Sequence, residues 1–377
     1  MDAAKPTIDP ASLPARLEQL PGIAALRELL AGEPAWLVGG SVRDLLLGRG
    51  EHTLDLDVAV EGDAIALAHR LGTPVAVHER FLTASVVLKG GVRVDLARTR
   101  SESYPRPGAL PEVRPARLRD DLSRRDFTIN AMAYPLAGGE LLDPHGGLDD
   151  LRSGRLRVLH DASFRDDPTR ALRAARYAAR LGFEPEPRTL ELLRAADLGT
   201  VSADRSEAEL RLLAAEERAA EGFELIAGWG ILRLRPDGPE RVRRVLAALA
   251  RPGWGDLDHR ADAVLAAALG DPEREERAER LAAARPQRPS QAVALARGRD
   301  AVELLLARAL GAEWLDDYVR EWRHVRLEIS GRDLLAAGVP QGPAIGAGLA
   351  AALEAKLDRG VRGRELELAE ALAVAAS

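Results

Sequence analysis

Cysteine is absent from the 377-residue chain, which excludes a disulfide framework, a Cys-ligated zinc site and a thiol nucleophile together. No stretch approaches 18 uninterrupted apolar residues, and the amino-terminal MDAAKPTIDPASLP has neither the basic start nor the apolar run of a signal peptide. A cytoplasmic enzyme with no membrane partner is the expectation. Lysine occurs only at Lys5, Lys89 and Lys356, so nearly all of the 53 basic residues are arginines. Arginine is the better fork for phosphates, although so uniform a preference also fits a GC-rich genome. The net charge of −6 speaks weakly against nucleic-acid binding, because phosphate-binding domains are usually basic; the distribution of charge matters more than its sum.

What is present is a 46% hydrophobic content, enough for two or more domains with their own cores. To about Asp143 the pattern is mixed α/β. Trp36-Leu37-Val38 runs into Gly39-Gly40, and a helix is expected from Val42 to Leu47. Strand-like runs follow at Leu54 to Val60, Thr83 to Leu88 and Val92 to Ala97. Tyr104 to Pro115 is rich in proline and glycine and reads as a loop. From Leu151 onward alanine, leucine, arginine and glutamate dominate, and an all-helical remainder is expected. The five tryptophans are expected in packing, with Trp322 placed beside Arg323 and His324 where it could touch RNA.

The chemistry starts at Asp55-Leu56-Asp57. Residues i and i+2 of a strand project from one face, so the two carboxylates point together and repel unless a cation lies between them. Mg²⁺ prefers carboxylate oxygens plus substrate phosphates, which suits the pair to metal-assisted phosphoryl transfer. Such a short pattern alone is more often an acidic edge. Its context is Gly39-Gly40-Ser41-Val42-Arg43-Asp44, a glycine turn opening a helix. Glycines let backbone N–H groups approach a triphosphate, the helix start adds a favourable dipole, and Arg43 is placed for the same anion.

Two further blocks carry charge. In Arg124-Arg125-Asp126-Phe127-Thr128-Ile129-Asn130, paired arginines beside a triphosphate would neutralise charge during transfer, and Asn130 is suited to a ribose hydroxyl. As a surface ion pair the same residues would contribute little. In Asp166-Asp167-Pro168-Thr169-Arg170, Asp167 followed by Pro168 reads as an N-cap with proline at the first helical position. Arg170, Arg173, Arg176 and Arg180 then share an arc of about 120° on that helix. This is either a solvated basic face or one that meets nucleotide and RNA phosphates.

Taken together, LVGGSVRDLLLG, DLDVAVEGD, RRDFTINAMAY, DPHGGLDDL and FRDDPTRALRAARYAARLGF closely resemble, in order and spacing, the class II tRNA nucleotidyltransferase (CCA-adding) and bacterial poly(A) polymerase family of the polymerase β superfamily. The match runs from about Trp36 to Phe183, with a weaker echo in ISGRDLLAAGVPQGPAIG. The resemblance implies an α+β nucleotidyltransferase head with a polymerase β-like mixed sheet, residues 1–142. An all-α neck that recognises the base, 143–200, and a helical body and tail that bind tRNA, 201–377, would follow. It implies that Asp55 and Asp57 bind catalytic Mg²⁺ and activate the tRNA 3′-hydroxyl for attack on the α-phosphate. Gly39, Gly40 and Arg43 would hold the triphosphate. Arg124 or Arg125, with Asp126 and Asn130, would contact ribose and phosphate. Asp167 and Arg170 would pair with the edge of CTP or ATP, and Arg173 and Arg176 would complete the pocket. The partners implied are the tRNA 3′ end and CTP and/or ATP, not DNA.

Asp166 stands where the family usually has glutamate. Asp95 is a further candidate carboxylate near the metals. The segment Arg100 to Arg119 resembles a mobile loop that helps switch such pockets from CTP to ATP. Addition of only A, only CC, or poly(A) tails are the alternatives within this chemistry; transfer to a small molecule and an inactive RNA-binding protein are those outside it. Gly346 to Ala351 fits a loose dinucleotide fingerprint, but no strand precedes it, and helix packing is expected. The seven histidines are too dispersed for the phosphohydrolase ligand set that some relatives carry near a His-Asp pair such as His160-Asp161.

Overall fold

The computed structural model describes residues 8–49, 55–255 and 259–375; Leu54, expected to open a strand, and Lys5 lie outside them. By contacts the chain forms two units: residues 1–213 with 225–232, and residues 214–224 with 233–377.

The first unit is built on a six-stranded sheet in the order β3-β4-β5-β2-β1-β8. Its strands are β1 (Ala35–Val38), β2 (Asp55–Val60), β3 (Pro74–His78), β4 (Thr83–Val87), β5 (Arg93–Arg98) and β8 (Ala133–Pro135). Only β2 and β5 run parallel; the other neighbours are antiparallel. Alternation explains the faces. In β2, Leu56 and Val58 are buried while Asp55 and Asp57 stay accessible on the opposite side. The parallel register sets Asp57 directly against Asp95.

One residue, the buried Thr99, separates β5 from β6 (Arg100–Ser103). Strand β6 pairs with β7 (Glu112–Pro115) as a hairpin. Thus the end of the segment read as a loop, Glu112 to Pro115, is a strand. Its one proline, Pro115, stands at the end of a two-stranded edge, where a missing N–H is tolerated, so the proline-rich setting concealed it. The all-helical expectation from Leu151 onward is broken by a parallel pair of two-residue strands, β9 (Arg155–Leu156) and β10 (Glu184–Pro185).

The block DPHGGLDDL acts as scaffold. Asp143 accepts the N–H groups of Gly147 and Leu148 at 2.8 and 2.9 Å, opening the helix Gly147–Ser153. Asp150 accepts the Thr128 hydroxyl at 2.6 Å. Gly147 is required where it stands, since a Cβ there would fall 2.2 Å from the Thr128 carbonyl. These contacts fix the short turn Thr128–Asn130 under the sheet.

The described part of the second unit is helical. Helices Gly238–Leu249, Arg260–Leu269, Pro272–Ala283 and Ala301–Ala309 bury Val242, Val245, Val264, Leu281 and Leu305. Trp254 is fully buried and donates to Asp316, in keeping with a packing role. The helices Pro343–Arg359 and Arg364–Ala375 pack together, and Gly348 makes room for the Ala371 carbonyl, which a Cβ would meet at 2.7 Å. The glycines of the dinucleotide-like string therefore lie in a helix, one of them at a helix contact. Among the described residues no helix is long and apolar enough to cross a membrane.

Candidate active site

The thirteen residues assigned to the site from the sequence, Gly39, Gly40, Arg43, Asp55, Asp57, Arg124, Arg125, Asp126, Asn130, Asp167, Arg170, Arg173 and Arg176, fall in the first unit and all line one cleft of about 980 Å³. Asp95 and Arg180 line it too.

The glycine turn sits against the carboxylates. Gly39 has φ +64°, and a Cβ there would lie 2.7 Å from Arg125 Nη1, so only glycine fits. A Cβ on Gly40 would be 3.9 Å from Asp57 Oδ2, and the Ser41 hydroxyl accepts the Asp57 N–H at 3.0 Å. The observed helix is Gly40–Leu46, starting two residues before the expected one. Arg43 does not reach out of it. Its guanidinium is 2% exposed and donates to both oxygens of Asp44 at 2.9 Å and to Asn130 Oδ1 at 2.6 Å. Its charge therefore acts from beneath the cleft.

Surrounding protein pushes the Asp57 carboxyl up from its ordinary pKa, and the charges of Asp95 and Asp55 add to this against Arg125 and Arg43. An acid so placed gains from a cation. Among the described residues no three His, Cys, Asp or Glu side chains are grouped to hold a metal ion. Two carboxylates on one face nevertheless fit a hard divalent cation that takes its remaining ligands from substrate phosphate and water.

The arginine block is internally neutralised. Arg124 and Arg125 pair with Asp121, at 2.7 and 2.9 Å, and not with the adjacent Asp126. Asp121 is buried, which alone would raise its pKa, but Arg125 and Arg124 hold it below the usual range. Asp126 belongs instead to Arg173. Asn130 donates to Asp126 at 2.9 Å while accepting from Arg43, so its amide braces the wall of the cleft.

The basic arc on the helix Thr169–Leu181 is no solvated face. Arg170 and Arg176 are buried, Arg173 is half-buried, and only Arg180 is exposed. The helix begins at Thr169, a residue later than expected, yet Asp167 still accepts the Thr169 N–H at 3.1 Å. Arg170 donates to Ser163 Oγ at 2.8 Å and to the Arg124 carbonyl at 2.7 Å, with a long 3.5 Å contact to the Tyr104 hydroxyl. Tyr177 takes the guanidinium carbons of Arg43, Arg173 and Arg176 at 5.1, 5.5 and 4.9 Å from its ring centre, so its π face helps three like charges share a small volume.

Three wall residues were not anticipated. Glu102 accepts from Arg100, Arg124 and the Tyr104 hydroxyl. Arg205 and Glu209 lie one turn apart on the helix Ala203–Ala215; Arg205 bonds Asp167, and Glu209 bonds Arg173 and Arg176. The available signal was their i, i+4 spacing, which in so charged a chain resembles any solvated helix.

A family model described as the poly A polymerase head domain matches residues 35–157. The CC-adding tRNA nucleotidyltransferase of Deinococcus radiodurans is 39% identical over 334 residues, covering 83% of this chain and 82% of that one. The chain belongs to the tRNA nucleotidyltransferase and poly(A) polymerase family. It is thus an enzyme of the nucleotidyltransferase class, and this family works with a divalent metal. An A-adding tRNA nucleotidyltransferase of Halalkalibacterium halodurans is 44% identical over 201 residues, which span 50% of this chain and 47% of the relative. The Thermotoga maritima CCA-adding enzyme, solved as a complex with tRNA-CCA, has a TM-score of 0.72 at 30% identity and covers 97% of this chain and 98% of its own.

Proposed function

We propose that this chain adds C and/or A, from CTP and ATP, to the 3′ end of tRNA without a nucleic-acid template, with Mg²⁺ as its metal. The observation that carries this reading is one cleft whose wall joins the same-face carboxylates Asp55 and Asp57 to the Asp167–Arg170 turn. The tRNA complex of the T. maritima relative supports the choice of acceptor.

In this reading Asp55 and Asp57 hold the cation. When bound, magnesium supplies positive charge to the phosphates and acidifies the attacking hydroxyl. The Gly39-Gly40 turn admits the triphosphate close to the backbone. Arg43 and Arg125 place positive charge beneath it, and Arg124, Asp126 and Asn130 brace the ribose side. Asp167 accepts from the exocyclic amine of cytosine or adenine, and Arg170 donates to the neighbouring ring nitrogen. Uracil and guanine present the opposite pattern and leave buried polar groups unpaired, at about 1–3 kcal/mol each. Arg173 and Arg176 close the pocket, and residues 201–377 bind the tRNA.

A second reading, addition of CC alone, is favoured by the name of the D. radiodurans relative, which aligns along most of the chain. Extension of three tRNA transcripts, ending at the discriminator base, at one C and at CC, with CTP, ATP or both and Mg²⁺, separates the two. Growth of all three to CCA supports the first reading, and arrest at CC supports the second. Extension of only the CC-ended RNA by ATP would mean an A-adding enzyme, and no extension would refute the tRNA assignment.

A further inference from the structure

The base-reading carboxylate is held in part by Arg205, which lies beyond the sequence blocks quoted above. Asp167 Oδ1 takes three donors: the Thr169 N–H at 3.1 Å, the Thr169 hydroxyl at 2.7 Å and Arg205 Nη2 at 2.9 Å. Its Oδ2 accepts no hydrogen bond from the described residues. One oxygen is thus saturated and the other is left for a ligand.

The same guanidinium has a second commitment. Arg205 Nη1 donates at 2.8 Å to the carbonyl of Gly108, in the turn between β6 and β7. Gly108 has φ +68°, its N–H donates to the Arg165 carbonyl at 3.3 Å, and a Cβ there would lie 2.4 Å from the Thr200 carbonyl. The hairpin turn is therefore docked closely, and a planar fork with fixed spacing between its N–H groups ties it to the carboxylate. A terminal carboxylate torsion is broad, so without this tie the plane of the Asp167 carboxylate is held by Thr169 alone.

We propose that Arg205 is a positioning residue for base selection: one guanidinium holds both Asp167 Oδ1 and the Gly108 carbonyl, and so fixes the plane in which the open carboxylate oxygen meets the incoming base. This rests on the reading of Asp167 and Arg170 as the base-selecting pair. Thr169 supports the same orientation from the other side. The role is distinct from general stabilisation, because it acts on the choice between nucleotides.

The test is single-nucleotide incorporation into tRNA by the full chain, comparing kcat/KM for the wild type's preferred nucleotide, CTP or ATP, with that for UTP. Arg205→Gln is expected to lower this preference about tenfold, chiefly by raising the UTP rate, with the melting temperature close to wild type. Arg205→Lys, which reaches one acceptor only, should fall between. Thr169→Val should lower the preference less, and Arg211→Gln, the same charge change elsewhere on the helix, should leave it unchanged. Unaltered preference in Arg205→Gln, or an equal fall for both nucleotides, overturns the positioning role. Should that variant fail to fold, wild-type preference in folded Arg205→Lys overturns it instead. A wild type that incorporates neither C nor A brings down the functional reading itself, whereas a selective wild type with an equally selective Arg205→Gln removes only this inference.

Discussion

Asp126 and Arg173 meet through two hydrogen bonds to one carboxylate oxygen, 2.8 Å from Nε and 2.6 Å from Nη2. The other oxygen of Asp126 takes the Phe127 N–H at 2.8 Å and the Asn130 amide at 2.9 Å. This buried acid joins the RRDFTIN block to the helix that begins just after Asp167 and carries Arg170 in its first turn. Burial alone would raise its pKa, but Arg173 and the bonds from Asn130 and Arg173 hold it well below the usual carboxylate range.

A depressed carboxylate pKa contributes stability that is present above the unfolded value of about 3.9 and lost as pH falls toward the folded one. Asp126→Asn should therefore be destabilised relative to wild type by a constant amount above about pH 5, and the gap should narrow below about pH 4. Melting temperatures of both proteins across the acid range check this. A gap that widens on acidification would contradict the pairing.

Removing the cation leaves the acid buried and unpaired. Arg173→Met should cost about 3–5 kcal/mol, and the double variant Asp126→Leu with Arg173→Met should recover part of that loss. Denaturant unfolding of the three variants gives the comparison. Similar stabilities for the single and double variants would mean that the pair is not coupled.

Asp57→Asn should abolish nucleotide transfer while leaving tRNA retention on a filter unchanged. A carboxyl with a raised folded pKa contributes stability at low pH that is lost as pH rises through that value. Without divalent metal, the variant should accordingly melt slightly higher than wild type at neutral pH, by about 1–3 °C. Retained transfer would remove Asp57 from the metal site.

Arg170→Ala should relax discrimination against UTP more than it weakens triphosphate affinity. It also orphans the Arg124 carbonyl and should cost about 1–3 kcal/mol of stability. Nucleotide titrations alongside incorporation rates separate the effects. Unchanged rejection of UTP would take Arg170 out of base selection.

Gly108→Ala places a Cβ into the Thr200 carbonyl at a positive φ. The hairpin turn should lift, so limited proteolysis between Tyr104 and Pro111 should accelerate about tenfold with little change in global melting. Equal protection in both proteins would mean that the turn docks without that contact.

Much of the site was legible because its chemistry is local in sequence. The i, i+2 carboxylates, the Gly-Gly turn and the Asp167-Pro168 helix start each follow from short-range geometry, and the cleft contains them all. Partner choice was not legible. Arg124 prefers Asp121 and Glu102 to the neighbouring Asp126, and Arg43 turns to Asp44 and Asn130 instead of outward; the bonds to Glu102 and Asn130 depend on where β6 and the turn Thr128–Asn130 come to lie in space, and several nearby acids competed for the local ones. Strand β3 and the β6–β7 hairpin were missed since a half-exposed edge with Pro74, and a short strand ending at Pro115, lack the alternating apolar pattern that marks a strand.

Because only Thr99 interrupts the extended run from β5 into β6, the peptide between Asp95 and Tyr104 works as a gauge. At one end it sets a carboxyl opposite Asp57, and at the other a phenol against Arg170. Asp95 and Tyr104 are nine residues apart, a spacing that unbroken alternation would set on opposite faces, yet both line the cleft. The chain therefore leaves regular alternation between them, and Tyr104 stands just past the end of β6. An insertion at Thr99 would shift the phenol and leave the carboxyl opposite Asp57, so a single short peptide sets the span between two points on the cleft wall.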